Sequence, residues 1–166
     1  MAAQSLGTLQ YFPQVSKCKH KRTVEALDLE KSIPWAFFDG AAQGNLMKCG
    51  AGGTIHWNDQ TFLVSRVGLG EGTNNYVEVM ALKLIILLAV EMDLKNINIM
   101  GDSLVTIKWA NKQMDCHIMR LRPIIEEIHQ LSSRFDHITF SHVYREQNDR
   151  ADQLSKEAVG LNLGSW

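Results

Sequence analysis

The chain has no hydrophobic run long enough to cross a bilayer. Its longest, Leu84 to Val90, falls far short of the ~20 apolar residues of a membrane helix, so no membrane partner is expected. No secretory signal pattern stands at the N-terminus. Cysteine is scarce. Cys18, Cys49 and Cys116 are an odd number with no CxxC pair, which argues against a disulfide framework and for a reducing, intracellular setting, nucleus or cytoplasm. Cys18-Lys19-His20 lacks a second pair of ligands, so a zinc site is not expected there. An excess of one charge is missing too. Seventeen basic and eighteen acidic residues give a net charge of -1, without the strongly basic footprint of a general nucleic-acid binder. An acid-rich active site would itself pull that balance down. There is no internal repeat and no low-complexity segment.

What remains is an ordinary globular composition. With 45% hydrophobic residues over 166 positions, the chain is expected to fold as one domain with a real core. Residues 1–33 read as a polar linker or tail, and Met1 to Gln14 as a leader from a longer polypeptide. This segment holds five of the seventeen basic residues but only three of the eighteen acids. Its cluster Lys17, Lys19, His20, Lys21 and Arg22 suits either a solvated tail or a phosphate backbone. Residues 34–160 are the expected domain and 161–166 a C-terminal tail.

From Pro34 the pattern sharpens. Trp35-Ala36-Phe37-Phe38 predicts a buried strand ending at Asp39-Gly40. Ala51–Trp57 and Thr61–Val67 predict a hairpin turning at Asn58-Asp59-Gln60. Gly50, Gly52 and Gly53 predict close backbone approach or bulges. Asn74 or Asn75 is expected to cap a long helix to about Met92, apolar almost all round and so packed on several sides. Ile97–Met100 predicts a strand, Ser103 to about Asn111 a short helix, and Pro123 the first turn of another. His137–Val143 alternates as a strand, and Asn148 is placed to cap a last helix ending near Gly160. The order is βββαβααβα: an antiparallel meander, then strands made parallel to the first by helical crossovers.

Four acids stand at informative places in this order: Asp39, Glu78, Asp102 and Asp152. Asp39 and Asp102 are each expected to end a strand. On parallel neighbours both carboxylates would emerge at the carboxyl edge of the sheet, where ligands bind. Glu78 and Asp152 lie in the first turns of helices, where an acid also suits the helix dipole. Each acid alone has an ordinary structural explanation. Together they suggest a carboxylate cluster for divalent metal, the kind that cuts phosphodiester bonds.

The phrases Asp39-Gly40, Thr73-Asn74-Asn75-x-x-Glu78, Asp102-Ser103 and Asn148-x-x-Ala151-Asp152 resemble the type 1 ribonuclease H domain over roughly Pro34 to Gly160. His142 to Asn148 is most similar to its archaeal-like branch, which also occurs in plant proteins and plant non-LTR retrotransposons. The resemblance implies an α/β ribonuclease H-like fold, with a five-stranded mixed sheet of three antiparallel strands followed by two parallel ones, flanked by helices. It implies hydrolysis of the RNA strand of an RNA–DNA hybrid, leaving 5′-phosphate and 3′-hydroxyl ends. Two Mg2+ ions would be held by Asp39, Glu78, Asp102 and Asp152, with Mn2+ able to substitute. Carried over residue by residue, Asn45 reads the minor groove, Asn74 and Asn75 contact sugars and base edges, and Thr73 holds a DNA phosphate. Ser103 and Asn148 complete the implied substrate-binding set. A reverse transcriptase domain in the same polypeptide is an implied partner.

Two features depart from the better-known members. The loop after the last strand is short, so the loop histidine is missing. His142 is expected in the strand as a packed residue, and Arg145 becomes the candidate for an auxiliary group near the leaving phosphate, against a solvated surface arginine. Ala110 to Leu121 leaves no room for a basic protruding helix. Trp57 and Trp109 read as core or groove-lining residues that could stack on nucleic acid; Trp166 has no sequence reading. Two other functions remain open: an inactive nucleic-acid-binding module of the same fold, and another nuclease of the superfamily such as a resolvase or integrase.

Overall fold

The computed structural model describes residues 24–165. The basic cluster at 17–22, Cys18 and Trp166 lie outside the described residues. The elements run β1 (Trp35–Gln43), β2 (Lys48–His56), β3 (Phe62–Glu71), α1 (Asn74–Glu91), β4 (Asn96–Gly101), α2 (Leu104–Ala110), α3 (Arg122–Ser132), β5 (His137–His142), a 3-10 turn (Arg145–Gln147) and α4 (Asp149–Val159). The sheet order is β3-β2-β1-β4-β5. The first three strands pair antiparallel, while β1 with β4 and β4 with β5 pair parallel. This is the five-stranded mixed sheet expected, with the predicted element order.

One boundary differs in a way that matters. β1 does not stop at Asp39 but runs on to Gln43. Its antiparallel partner β2 pairs along the whole strand, from Trp35↔His56 to Gln43↔Lys48. The parallel partner β4 leaves at Phe38↔Gly101. Asp39 therefore sits mid-strand, at the point where the neighbouring strand departs.

The main core lies between the sheet and α1, whose buried Val79, Leu82, Ile85, Ile86 and Ala89 meet β1 and β2. α3 covers α1 from the other side, which explains a helix apolar all round. α4 packs over β1, β2 and β3. Two glycines set how near the helices come. A Cβ on Gly52 would lie 2.3 Å from the Ser155 nitrogen in α4, and one on Gly40 would lie 2.6 Å from the Val77 carbonyl carbon in α1. Only a residue without a side chain lets the backbones approach so closely. The register also shifts between Cys49 and Gly50, so this glycine-rich stretch holds both the close approach and the bulge its composition suggests.

The stretch ahead of β1 is not wholly a free linker. Leu27 and Leu29 pack with Phe37 against a second cluster of Trp35, Met100 and Val143. Apolar residues two apart in extended chain share one face, a spacing hidden in an otherwise polar segment. At the other end, Gly68 bridges Leu163 in parallel fashion and the Gly164 amide donates to the Gly68 carbonyl at 2.9 Å. The described part of the C-terminal tail thus lies along edge strand β3. Among the described residues, no helix is long and apolar enough to cross a membrane.

Candidate active site

Three acids converge where β4 leaves β1. The Phe38↔Gly101 register puts Asp39 and Asp102 side by side at the end of the parallel pair. The Gly40 contact with Val77 seats the start of α1 on the same point and delivers Glu78, which lies just beyond the first turn of the helix and not within it as its spacing suggested. Asp39, Glu78 and Asp102 each offer an oxygen within 4.8 Å of the others. One oxygen of the cluster, Glu78 Oε2, is buried without a hydrogen-bond partner.

The electrostatics follow from burial and like charge. Asp39, only 4% exposed, is pushed up to about 7, first by burial, then by the Asp102 and Asp152 charges. Glu78 is pushed up to about 10 by burial, then by the charges of Asp39 and Asp102. Asp102 is raised mainly by burial, and the Arg145 guanidinium opposes that rise. Converging hard oxygen donors, one of them orphaned, with protons held at unusually high pH, fit a hard divalent cation. A cation there would replace the shared protons.

Asp152 stands apart from this triad. Its charge reaches Asp39 and Asp102, but its carboxylate is engaged by Lys156 at 2.6 Å, one turn along α4. Ser155, fully buried on the same helix face, has its hydroxyl 3.2 Å from Asp39 Oδ2 and 2.8 Å from the Asp152 carbonyl. Ser155 was not read from sequence, although three residues beyond Asp152 it must share that face.

A groove of about 560 Å³ opens over the acids, lined by Gly40, Asn74, Asn75, Glu78, Asp102 and Ser103 on one side. His142, Tyr144, Arg145 and Glu146 line the other. Asn74 and Asn75 are exposed. Neither caps α1: Thr73 is the N-cap, its Oγ1 accepting the Tyr76 amide at 3.1 Å. The extended backbone at Thr73 supplies the geometry a cap needs and leaves both asparagines facing the groove. Thr73 lines a neighbouring, largely apolar cavity of about 600 Å³ with Tyr76, Met119 and Arg120. Ser103 caps α2 and pairs with Thr106 Oγ1 at 2.9 Å. Asn45 is exposed in the β1–β2 turn, outside the residues lining the groove.

Asn148 is not among the residues lining the groove. It occupies the N-cap position of α4 but its side chain makes no cap bond. At 2% exposure it points inward, and its amide donates to the Phe38 carbonyl at 3.0 Å. It braces the backbone just before Asp39 and does not face solvent. His142 departs in the opposite sense. As the last residue of β5 it pairs in register with Gly101, but it is exposed and lines the groove. Strand alternation suggested packing; at the strand end no helix is left to cover it. Arg145 is 81% exposed, with Nε 3.8 Å from Asp102 Oδ2, a long contact over the acids. Tyr144 and Glu146 were missed, their polar turn carrying no periodic signal. Trp109 is core, with its indole N–H unpartnered, and Trp57 packs half-buried against the core. Residues 111–121 contain no helix, so no protruding helix stands beside the groove.

A family model described as reverse transcriptase-like matches residues 37–158. Ribonuclease HI of Halobacterium salinarum is 30% identical over 132 residues, covering 75% of this chain. The chain spans only 63% of that relative's length. The crystal structure of RNase H1 from the same archaeon is similar with a TM-score of 0.71 at 30% identity, over 76% of this chain and 96% of that one. LC11-RNase H1, isolated from compost, has been solved in complex with an RNA/DNA hybrid. That structure is similar with a TM-score of 0.65 at 25% identity, covering 76% of this chain and 96% of its own.

Proposed function

The chain belongs to the reverse transcriptase-like family, and from that premise we propose that it hydrolyses the RNA strand of RNA–DNA hybrids, leaving 5′-phosphate and 3′-hydroxyl ends. The observation that carries the reading is the convergence of Asp39, Glu78 and Asp102, the last two of which line an open groove. The solved hybrid complex of LC11-RNase H1 supports the same substrate here.

Asp39, Glu78 and Asp102 would hold the first of two Mg2+ ions, and Asp152, released from Lys156, would complete the set; Mn2+ fits the same donors. When bound, such ions supply an activated water and neutralise charge on the leaving oxygen of an in-line displacement. The side chains do the rest. Asn74 and Asn75 offer amide donors and acceptors to sugars and base edges from one wall, where the 2′-hydroxyl distinguishes RNA from DNA. Thr73 and Asn45 lie on flanking surface suited to the partner strand. Arg145 projects its charge from the opposite wall toward the acids, placed to stabilise developing phosphate charge and not to carry a proton.

The archaeal-like branch is the setting we infer, supported by identity to an archaeal enzyme and by the short turn before α4. A reverse transcriptase domain in the same polypeptide is the inferred partner, in keeping with the family description. Buried free Cys49 and Cys116 suit an intracellular, nuclear or cytoplasmic location. The test is cleavage of a labelled hybrid with Mg2+, beside single-stranded RNA, double-stranded RNA and double-stranded DNA. Selective cutting of the RNA strand of the hybrid is expected. Binding without cutting would identify an inactive module, and cutting of duplex DNA a different nuclease.

A further inference from the structure

The wall of the groove opposite Asn74 and Asn75 is held from outside the sheet. Tyr144, Arg145 and Glu146 project from a short exposed turn, and both ends of that turn are tied to the segment ahead of β1. At its start, Val143 is buried in the cluster that Leu27 and Leu29 cover, and its amide donates to the Gly101 carbonyl at 3.0 Å. At its end, Gln147 makes two bonds with one amide group. Its Oε1 accepts the Tyr144 amide at 2.9 Å, and its Nε2 donates to the Glu25 carbonyl at 3.1 Å. The turn is closed on itself and then fastened to the incoming chain.

We propose that Glu25–Leu29 is a positioning element of the active site, which fixes the Val143–Gln147 turn and, through it, places Arg145 over Asp102. The physical need is plain. Arg145 is 81% exposed and meets Asp102 only at 3.8 Å, so the side chain is not locked by its own contacts. Its backbone must be located by others. Leu27 and Leu29, packed on the Trp35, Met100 and Val143 cluster, provide an apolar anchor, and the Gln147 amide transmits that anchor to the turn. The catalytic consequence rests on the hydrolytic reading given above; the structural one does not.

The experiment uses the full chain. Leu27→Ser/Leu29→Ser removes the anchor, and Gln147→Glu keeps the acceptor for Tyr144 while losing the donor to Glu25. Both are peripheral changes, and a thermal melt checks folding. In single-turnover cleavage of a saturating hybrid, each should slow the chemical step roughly tenfold, as small misplacements of a positioned group do, with hybrid affinity little changed. In an Arg145→Ala background the same changes should cost less than about twofold, because the group they position is gone. Amide exchange at Tyr144 should speed in Leu27→Ser/Leu29→Ser without any need for catalysis. An equal loss in the Arg145→Ala background would overturn the proposal, as would unchanged exchange at Tyr144. If the wild-type protein cuts no hybrid, the hydrolytic reading falls, and the exchange measurement still decides whether the segment holds the turn.

Discussion

Asp39→Asn tests the electrostatics of the site in the absence of metal. Folding pushes the Asp39 carboxyl from 3.8 up to about 7, which corresponds to roughly 4 kcal/mol of disfavoured ionisation. The folded pKa lies above the unfolded one. Below about pH 4 both states hold the proton and there is no penalty. As pH rises toward 7 the unfolded chain loses a proton that the folded protein keeps, so stability falls, and above about 7 the full penalty applies. An amide of the same shape carries no such penalty. The groove admits water, which raises the effective dielectric, so a gain of about 1–3 kcal/mol is expected at pH 8. For a domain this size that is about 3–9 °C in melting temperature. The assay is a thermal melt in a chelator at pH 4 and pH 8, repeated at pH 8 with saturating Mg2+. Asp39→Asn should melt higher than wild type at pH 8 and nearly level with it at pH 4. Mg2+ should raise the wild-type melt, because only the folded state assembles the site, and leave the variant unmoved. A variant that melts at or below wild type at pH 8 without metal would refute the reasoning.

Other consequences are open to direct measurement. Asp39→Asn and Asp102→Asn should each abolish hybrid cleavage, since an amide is a poor ligand for a hard cation; activity retained in a well-folded variant would remove that residue from the site. Arg145→Ala should slow the chemical step roughly ten- to a thousandfold with little change in affinity, and Arg145→Lys should recover part of it, by single-turnover kinetics. Lys156→Met frees Asp152 from its 2.6 Å partner and should lower the half-saturating Mg2+ concentration by roughly two- to fivefold, the scale of a half-exposed ion pair. Gly52→Ala drives a Cβ to 2.3 Å from the Ser155 nitrogen and should cost about 3 kcal/mol in a denaturant melt.

Local chemistry made much of this molecule readable from the chain alone. Helix and strand order follow from apolar spacing, because side chains recur every 3.6 or two residues whatever surrounds them. The acids Asp39, Glu78, Asp102 and Asp152 stood out because each was expected at the end or the start of an element, inside a recognisable phrase. The tertiary structure decided how those elements meet. Asp39 lies mid-strand because β2 pairs along all of β1 while β4 leaves at Phe38↔Gly101, a difference between two partners that no local signal contains. Thr73 takes the cap, and Asn74 and Asn75 are left to the groove; three adjacent cap-forming residues cannot be ranked without the backbone angles. Asn148 turns inward because the Phe38 carbonyl needs a donor, and His142 stays exposed because β5 ends there. Leu27 and Leu29 find their partners on β1, β4 and the turn beyond β5. Register, burial and contacts between residues distant in sequence are properties of the packed chain, and they bring the three acids to a single point.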